Sequence, residues 1–149
     1  MTAAQPSKKN PEFLIQRIYV KDISFESPGV PAVFKENLQP LINVNVQIHS
    51  RSLEETVHEV TLEAAISAKV ETRPIFLIEA QQAGIFTLQH IPDENMGAVL
   101  NVSCPTILFP YLRELVSDLS ARGGFSNFYL APINFEALYM DKLAQQKNK

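Results

Sequence analysis

The side chains that most often catalyse reactions or bind metals are few and scattered in this chain. His49, His58 and His90 have no metal-ligand spacing to one another or to Cys104, the single cysteine. The sequence contains neither a Gly-x-x-x-x-Gly-Lys-Ser/Thr phosphate loop nor a Gly-x-Ser-x-Gly nucleophile turn. We therefore expect no enzymatic activity, no bound metal and no cofactor.

Two further groups could take part in chemistry. Cys104 precedes Pro105 at a predicted helix start, where a thiol can have a lowered pKa or can simply be a small buried hydrophobe. Asp93 and Glu94 are adjacent carboxylates at another helix start, where such residues more often cap the helix than catalyse. Neither group predicts a reaction.

Large apolar side chains near turns and element ends give a stronger functional signal. They are Phe76, Ile85, Phe86, Phe109, Tyr111, Phe125, Phe128 and Phe135. Two interpretations stay open: all are core residues, or several line an apolar groove between a sheet and helices. Such a groove accepts almost any apolar segment because burial is non-directional, and each buried ligand side chain contributes about 1.5–3 kcal/mol before ordering costs. A long ligand that touches several sites gains further through multivalency.

Carboxylates form a second set. Asp22 and Glu26 share one strand face by parity, and Glu79 shares a face with Leu77 and Gln81 on another strand. If both strands expose these faces together, they form an acidic patch with an apolar contact inside it. The alternative is an ordinary solvated sheet face.

The elements that position these residues are strands first and helices afterwards. Period-two alternation predicts strands at residues 13–26, 42–48, 60–70 and 75–82, the last bounded by Pro74 and Gly84. Helices are predicted at 94–102, with Asp93 as N-cap, from Pro105 to the Gly123–Gly124 pair with a bend or delayed start at Pro110, and from an Asn134 cap onwards. This order indicates an α+β fold with a four-stranded antiparallel sheet and helices packed on one face.

Composition limits the class of protein. The 149 residues suit one domain, predicted over residues 12–146 between a disordered tail at 1–11 and a short tail at 147–149. A net charge of −3 with scattered cations gives no reason to expect nucleic acid as a partner. The polar beginning, the single cysteine and the lack of a run of about 20 apolar residues predict a cytoplasmic protein without membrane insertion.

Matching segments occur in order along residues 13–146 and together resemble the SecB family of bacterial protein-export chaperones. They include residues 16–19, 21–26, 76–77, 81–82, 84–86, 104–105, 107–111, 113–114, 130–132 and 134–135. The resemblance implies a SecB-like homotetramer, built as a dimer of dimers, that binds unfolded preproteins without ATP and delivers them to the SecA motor. One alternative is a SecB-like holdase for a non-secretory client such as an antitoxin, without motor docking. Another is a small enzyme or lipid carrier with a closed pocket.

The resemblance also assigns residues to roles. SecA binding falls on Asp22, Glu26, Leu77 and Glu79. Peptide binding falls on Leu38, where the family often has Trp, and on Phe76, Ile85, Phe86, Phe109, Tyr111 and Phe135. Subunit contacts fall on the strand around Ile78, Ala80 and Gln82, together with the main helix.

Overall fold

The structure, a computed structural model, describes residues 10–126 and 128–148. Its elements are β1 (Glu12–Glu26), a 3-10 turn (Ala32–Lys35), β2 (Leu41–Glu54), β3 (Val57–Val70), β4 (Arg73–Gln89), α1 (Asp93–Ala98), a π turn (Val99–Ser103), α2 (Cys104–Arg122) and α3 (Phe135–Lys147). The strands form one antiparallel sheet in the order β1-β4-β3-β2. Residues 1–9 of the predicted N-terminal tail and residue 149 of the predicted C-terminal tail lie outside the described residues.

Tight turns fix the register of the three consecutive strands. Glu54 pairs with Val57 across the β2–β3 turn, and Val70 pairs with Arg73 across the β3–β4 turn. Glu71 takes a left-handed φ of 57° in the second turn, as two-residue hairpin loops often require. Because the turns are short, each strand lies directly beside the next one in sequence.

Alternating burial divides the sheet into two faces. The side chains packed beneath the helices alternate with more exposed ones on β3 from Ala64 to Ala68 and on β4 from Phe76 to Ala80. On β3 the buried set is Val60, Leu62, Ala64, Ile66 and Ala68, and their partners on β4 are Gly84, Gln82, Ala80, Ile78 and Phe76. We call this the inner face and the opposite one the outer face. The predicted α+β fold, with helices on one face of a four-stranded antiparallel sheet, is confirmed.

β4 is longer than predicted, since it runs from Arg73 to Gln89 through both supposed boundaries. Pro74 is tolerated because it lies at a register shift near the start of the strand. Gly84 is not a strand end. A Cβ added there would lie 3.1 Å from Leu108 Cδ2 on α2, so this glycine permits a close approach between helix and sheet.

The two helices predicted between residues 94 and 122 are one continuous helical segment, interrupted only by the π turn. That turn immediately precedes Pro105, whose ring would clash with the carbonyl of Asn101 in regular α geometry. The wider turn relieves this clash, so the helix continues where a break was predicted. It also passes through Pro110, so the start delayed to that proline was wrong.

Caps at the helix ends follow the sequence with one exception. Gly123 follows the last residue of α2, and the Asn134 side chain accepts a hydrogen bond from Ala137 N at 3.0 Å at the start of α3, as predicted. Asp93 is not an N-cap, because it is already the first residue of α1 and Pro92 precedes the helix without a side-chain cap. Its carboxylate can still interact favourably with the helix dipole.

Gly123 should be intolerant of any side chain. Its φ of −75° is open to all residues, but an added Cβ would lie 2.2 Å from the Phe25 ring. We expect Gly123→Ala to lower the free energy of unfolding by about 1–3 kcal/mol, measured by urea denaturation, because the ring must move. In a Phe25→Ala background the same change should cost much less. Equal costs in both backgrounds would contradict the packing.

Candidate functional site

A β-bulge in β1 determines which side chains reach the outer face. The pairing with β4 shifts between Val20 and Asp22, which makes Lys21 an extra residue. Tyr19 and Asp22 therefore both project from the outer face, although strict alternation would place them on opposite faces. The bulge is what brings Asp22 to the same side as Tyr19.

The residues predicted to bind SecA lie together on the outer face, and we call Asp22, Glu26, Leu77 and Glu79 the acidic patch. Glu26 is directly opposite Leu77, and Glu79 is opposite Ser24, two residues from Asp22. The three carboxylates are exposed and form no ion pair with any described residue. The geometry leaves them available to a cationic partner, and their binding role stays a prediction.

At the other end of the outer face, a carboxylate is already paired with cations of the same chain. The carboxylate of Glu59, which is 6% exposed, accepts hydrogen bonds from the Tyr19 hydroxyl and, at 3.1 Å each, from Lys21 Nζ and Arg51 Nε. We call these four residues the Glu59 network. It ties the bulged residue Lys21 on β1 across β4 to β3.

The network also shifts the acidities of its members. Burial raises the pKa of Glu59, but the hydrogen bonds from Tyr19 and Lys21 and the charges of Lys21 and Arg51 outweigh it, so the pKa is lowered overall. Burial, and then the hydrogen bond to the Glu59 carboxylate, raise the pKa of Tyr19 to about 12. Glu59 therefore stays ionised and Tyr19 neutral around neutral pH.

The predicted peptide-binding residues do not form one groove. Phe76, Phe86, Phe109 and Phe135 are buried in the core, with exposed fractions of 4%, 0%, 6% and 3%. Ile85 alternates with Phe86 and so projects from the outer face. Four of these side chains are covered within the chain and Ile85 faces the opposite side of the sheet, so their role in peptide binding stays a prediction.

The remaining two predicted groove residues are accessible but lie in different elements. Tyr111 is 50% exposed on α2. The buried stripe follows the spacing of Cys104, Leu108, Leu112 and Val116, which leaves Tyr111 to one side. Leu38 is half-buried against the core, in the connection between β1 and β2.

Ile78, Ala80 and Gln82, predicted at a subunit interface, are buried inside the chain itself. They lie on the inner face of β4, and their exposed fractions are 0%, 1% and 4%. The Gln82 amide donates to the Tyr19 carbonyl at 3.1 Å. These side chains are covered within the chain, and their role at a subunit contact stays a prediction.

Accessible apolar residues that the sequence reasoning missed lie on the inner face of the edge strands. α2 packs on β3 and β4. A helix is about 10–12 Å wide and strands lie about 4.8 Å apart, so one helix covers roughly two strands. Val20 and Ile23 on β1 are each 45% exposed, and Ile42 and Val44 on β2 are 36% and 40% exposed. The alternation along the strands indicated that these side chains lie on the apolar face of the sheet. It could not show that no helix packs over them.

An aromatic cluster continues the exposed row of β1 beyond the end of α2. The Phe76 and Phe125 ring centroids lie 4.9 Å apart, Phe34 and Phe125 5.5 Å, and Phe25 and Phe76 6.3 Å. Phe34 is 51% exposed, so the buried Phe76 has an accessible neighbour. The aligned set is Val20, Ile23, Phe25, Phe34 and Phe125, which we call the apolar strip.

Three of the groups first considered for catalysis, Cys104, His49 and His90, lie in surroundings that give no sign of a reaction centre. Cys104 is fully buried, and burial raises the pKa of its thiol to about 12, as for a small core hydrophobe. His49 lies 3.0 Å from Glu63 on the exposed sheet surface, and His90 follows β4. Across residues 10–126 and 128–148, no His, Cys, Asp or Glu side chains group as a metal site would require, and none of the helices there is long and apolar enough to cross a membrane.

A family model described as "Preprotein translocase subunit SecB" matches residues 6–146. The chain belongs to the SecB family. Among curated SecB relatives, each named "Protein-export protein SecB", that of Nitrosospira multiformis is 45% identical, with 95% of this chain and 89% of the relative covered. The SecB of Burkholderia vietnamiensis is 47% identical over 93% and 87% of the two chains. That of Acidithiobacillus ferrooxidans is 50% identical over 91% and 93%.

Comparison with solved structures supports the SecB fold. A SecB-like chaperone of Mycobacterium tuberculosis, solved in complex with a peptide from an antitoxin, superposes with a TM-score of 0.68. The match covers 81% of this chain and 90% of the other at 16% identity, so it concerns the fold alone.

The Glu59 network should stabilise the fold more than its exposed neighbours do. We expect Glu59→Ala to lower the free energy of unfolding by about 1–3 kcal/mol in urea denaturation, because three hydrogen bonds to a buried carboxylate are lost and the half-buried Tyr19 hydroxyl loses its acceptor. Glu63→Ala, which removes a partner of exposed His49, should change it by less than about 0.5 kcal/mol.

The Glu59 effect should also depend on pH. Because the folded-state pKa of Glu59 is lowered, its contribution is present at neutral pH and is lost as pH falls through that lowered pKa. The difference between wild type and Glu59→Ala should therefore shrink in acid. A difference that grew in acid would contradict the assignment.

Proposed function

We propose that this chain is an ATP-independent chaperone that binds unfolded preproteins in the cytoplasm, keeps them competent for export and delivers them to the SecA motor. Support comes from membership of the SecB family and from relatives of 45–50% identity named as protein-export proteins. The structural observation that carries the proposal is the apolar strip, which the chain's own helices leave accessible. The protein acts by binding, without a catalytic step.

The strip suits clients of many sequences. Half-exposed apolar side chains gain from burial against any apolar segment, at about 1.5–3 kcal/mol for each client side chain before ordering costs. Among the described residues β1 and β2 each leave one edge unpaired, so an edge that does not pair with a second copy can bond to the main chain of an extended client segment. Both contributions are insensitive to client sequence, which is what a general holdase requires.

Self-association into a homotetramer, a dimer of dimers, is part of the proposal. β1 and β2 are 15 and 14 residues long and each has one open edge, and such edges favour pairing with another chain. Half-exposed Tyr111 gives α2 an apolar contact to one side of its buried stripe. We propose these surfaces as subunit contacts in addition to the strand around Ile78, Ala80 and Gln82.

The two faces of the sheet allow a division of labour. Clients would bind the apolar strip on the inner face, and SecA would dock on the acidic patch of the outer face. Unpaired carboxylates attract a cationic partner and speed its encounter at low salt. Because the surfaces face opposite ways, a loaded chaperone could dock on the motor without first releasing its client.

Client capture should depend on Phe34. We expect Phe34→Asp to weaken binding of an unfolded preprotein by about tenfold, measured by fluorescence titration, because one buried aromatic contact is lost and a charge is added. The matched control is Leu14→Asp, which changes a 57% exposed residue on the outer face and should leave capture unchanged. Circular dichroism verifies that both variants fold. Wild-type capture by Phe34→Asp, or equal loss in both variants, would contradict the proposal.

A further inference from the structure

The acidic patch opens into a depression that crosses most of the sheet. Its volume is about 280 Å³. Glu26, Leu77 and Glu79 line one side, and Asn43 and Asn45 on β2 line the other. The asparagines were not among the residues predicted to bind anything, and they belong to the strand two positions away from β4.

Two neighbouring cross-strand rows explain the shape. The rows read Glu26, Leu77, Ser67, Asn43 and Ser24, Glu79, Ala65, Asn45 across β1, β4, β3 and β2. The β3 positions carry small side chains, so they form a low floor between larger residues of β4 and β2. Four strands about 4.8 Å apart span about 14 Å, the length of about four extended residues.

The two sides of the depression offer different chemistry. The carboxylates of Glu26 and Glu79 lack a cation among the described residues, and Leu77 adds an apolar contact. Asn43 and Asn45 are exposed, and their side chains form no hydrogen bond with another described residue. A carboxamide both donates and accepts, so it can pair with the main chain of any polypeptide.

The occupant that satisfies both sides is an extended polypeptide segment with Lys or Arg side chains. Its cations would reach Glu26 and Glu79, and its backbone amides would pair with the asparagines. The Glu59 end of the face is a poor alternative for such a segment, since Lys21 and Arg51 already neutralise that carboxylate.

We propose that Asn43 and Asn45 form the second half of the docking site and hold the main chain of this cationic segment of SecA. The inference rests on the proposed docking of SecA on the outer face, and it adds the residues that fix the path of the bound segment. The acidic patch would attract the cationic side chains of the segment, and the asparagines would hold its main chain along a path across the strands.

The test is calorimetric titration of the full-length chaperone with purified SecA at several salt concentrations. We expect the Asn43→Ala/Asn45→Ala double variant to bind about tenfold more weakly, as for the loss of two hydrogen bonds. Its salt dependence should equal that of wild type, because no charge is removed. Glu79→Lys should weaken binding and also flatten the salt dependence.

The matched control is Gln47→Ala, an exposed amide on the same strand and face but beyond the depression; it should bind SecA as wild type does. If Glu79→Lys weakens binding while the double variant behaves as wild type, the inference is overturned and SecA docking stands. If Glu79→Lys has no effect, docking on this face fails and the inference fails with it. A loss with Gln47→Ala equal to that of the double variant also overturns the inference.

Discussion

A single helix is narrower than the four-stranded sheet on which it packs, and this difference in width determines which apolar side chains stay accessible. α2 packs along β3 and β4 through a buried stripe that includes Leu108, Leu112 and Val116, and it leaves the inner face of both edge strands partly open. Apolar area that stays in water costs stability, since burying it contributes about 25 cal/mol per Å². In the function that we propose, this area is the surface that a client or a second copy would cover.

On the outer face, charged side chains and a bulge in the backbone determine which residues are accessible. The bulge at Lys21 turns Asp22 outward, and the Glu59 network holds that bulge against β3. The Glu59 carboxylate at one end of the face is paired with cations of the chain, whereas the carboxylates of the acidic patch have no cation partner among the described residues. One strand, β1, thus contributes residues to both the apolar strip and the acidic patch, so the proposed client binding and SecA docking would share an element but not a face.

The hydrophobic alternation and the turn and cap residues were sufficient to predict much of the fold. They were not sufficient to predict which side chains are buried. The alternation of β3 and the Asn134 cap depend on nearby residues, and both were predictable. Gly84 was taken as a strand end because its close contact with Leu108 of α2 is a tertiary contact, which the local sequence does not show. Phe86 and Tyr111 were grouped as groove residues for the same reason: composition shows that a side chain is apolar, whereas its burial depends on which segment packs over it. The sequence predicted two separate pairs of the acidic patch, Asp22 with Glu26 and Leu77 with Glu79. The register between β1 and β4 shows that both pairs lie on one face.

Thiol labelling of two neighbouring residues on opposite faces tests the account most directly. Wild-type Cys104 is fully buried and its thiol pKa is raised, so it gives little background reaction with a maleimide. Ile23→Cys places a thiol in the apolar strip, and Ser24→Cys places one on the outer face beside the acidic patch. We predict that an unfolded preprotein slows labelling of Ile23→Cys and leaves Ser24→Cys unchanged. Protection of Ser24→Cys with none at Ile23→Cys would contradict the account.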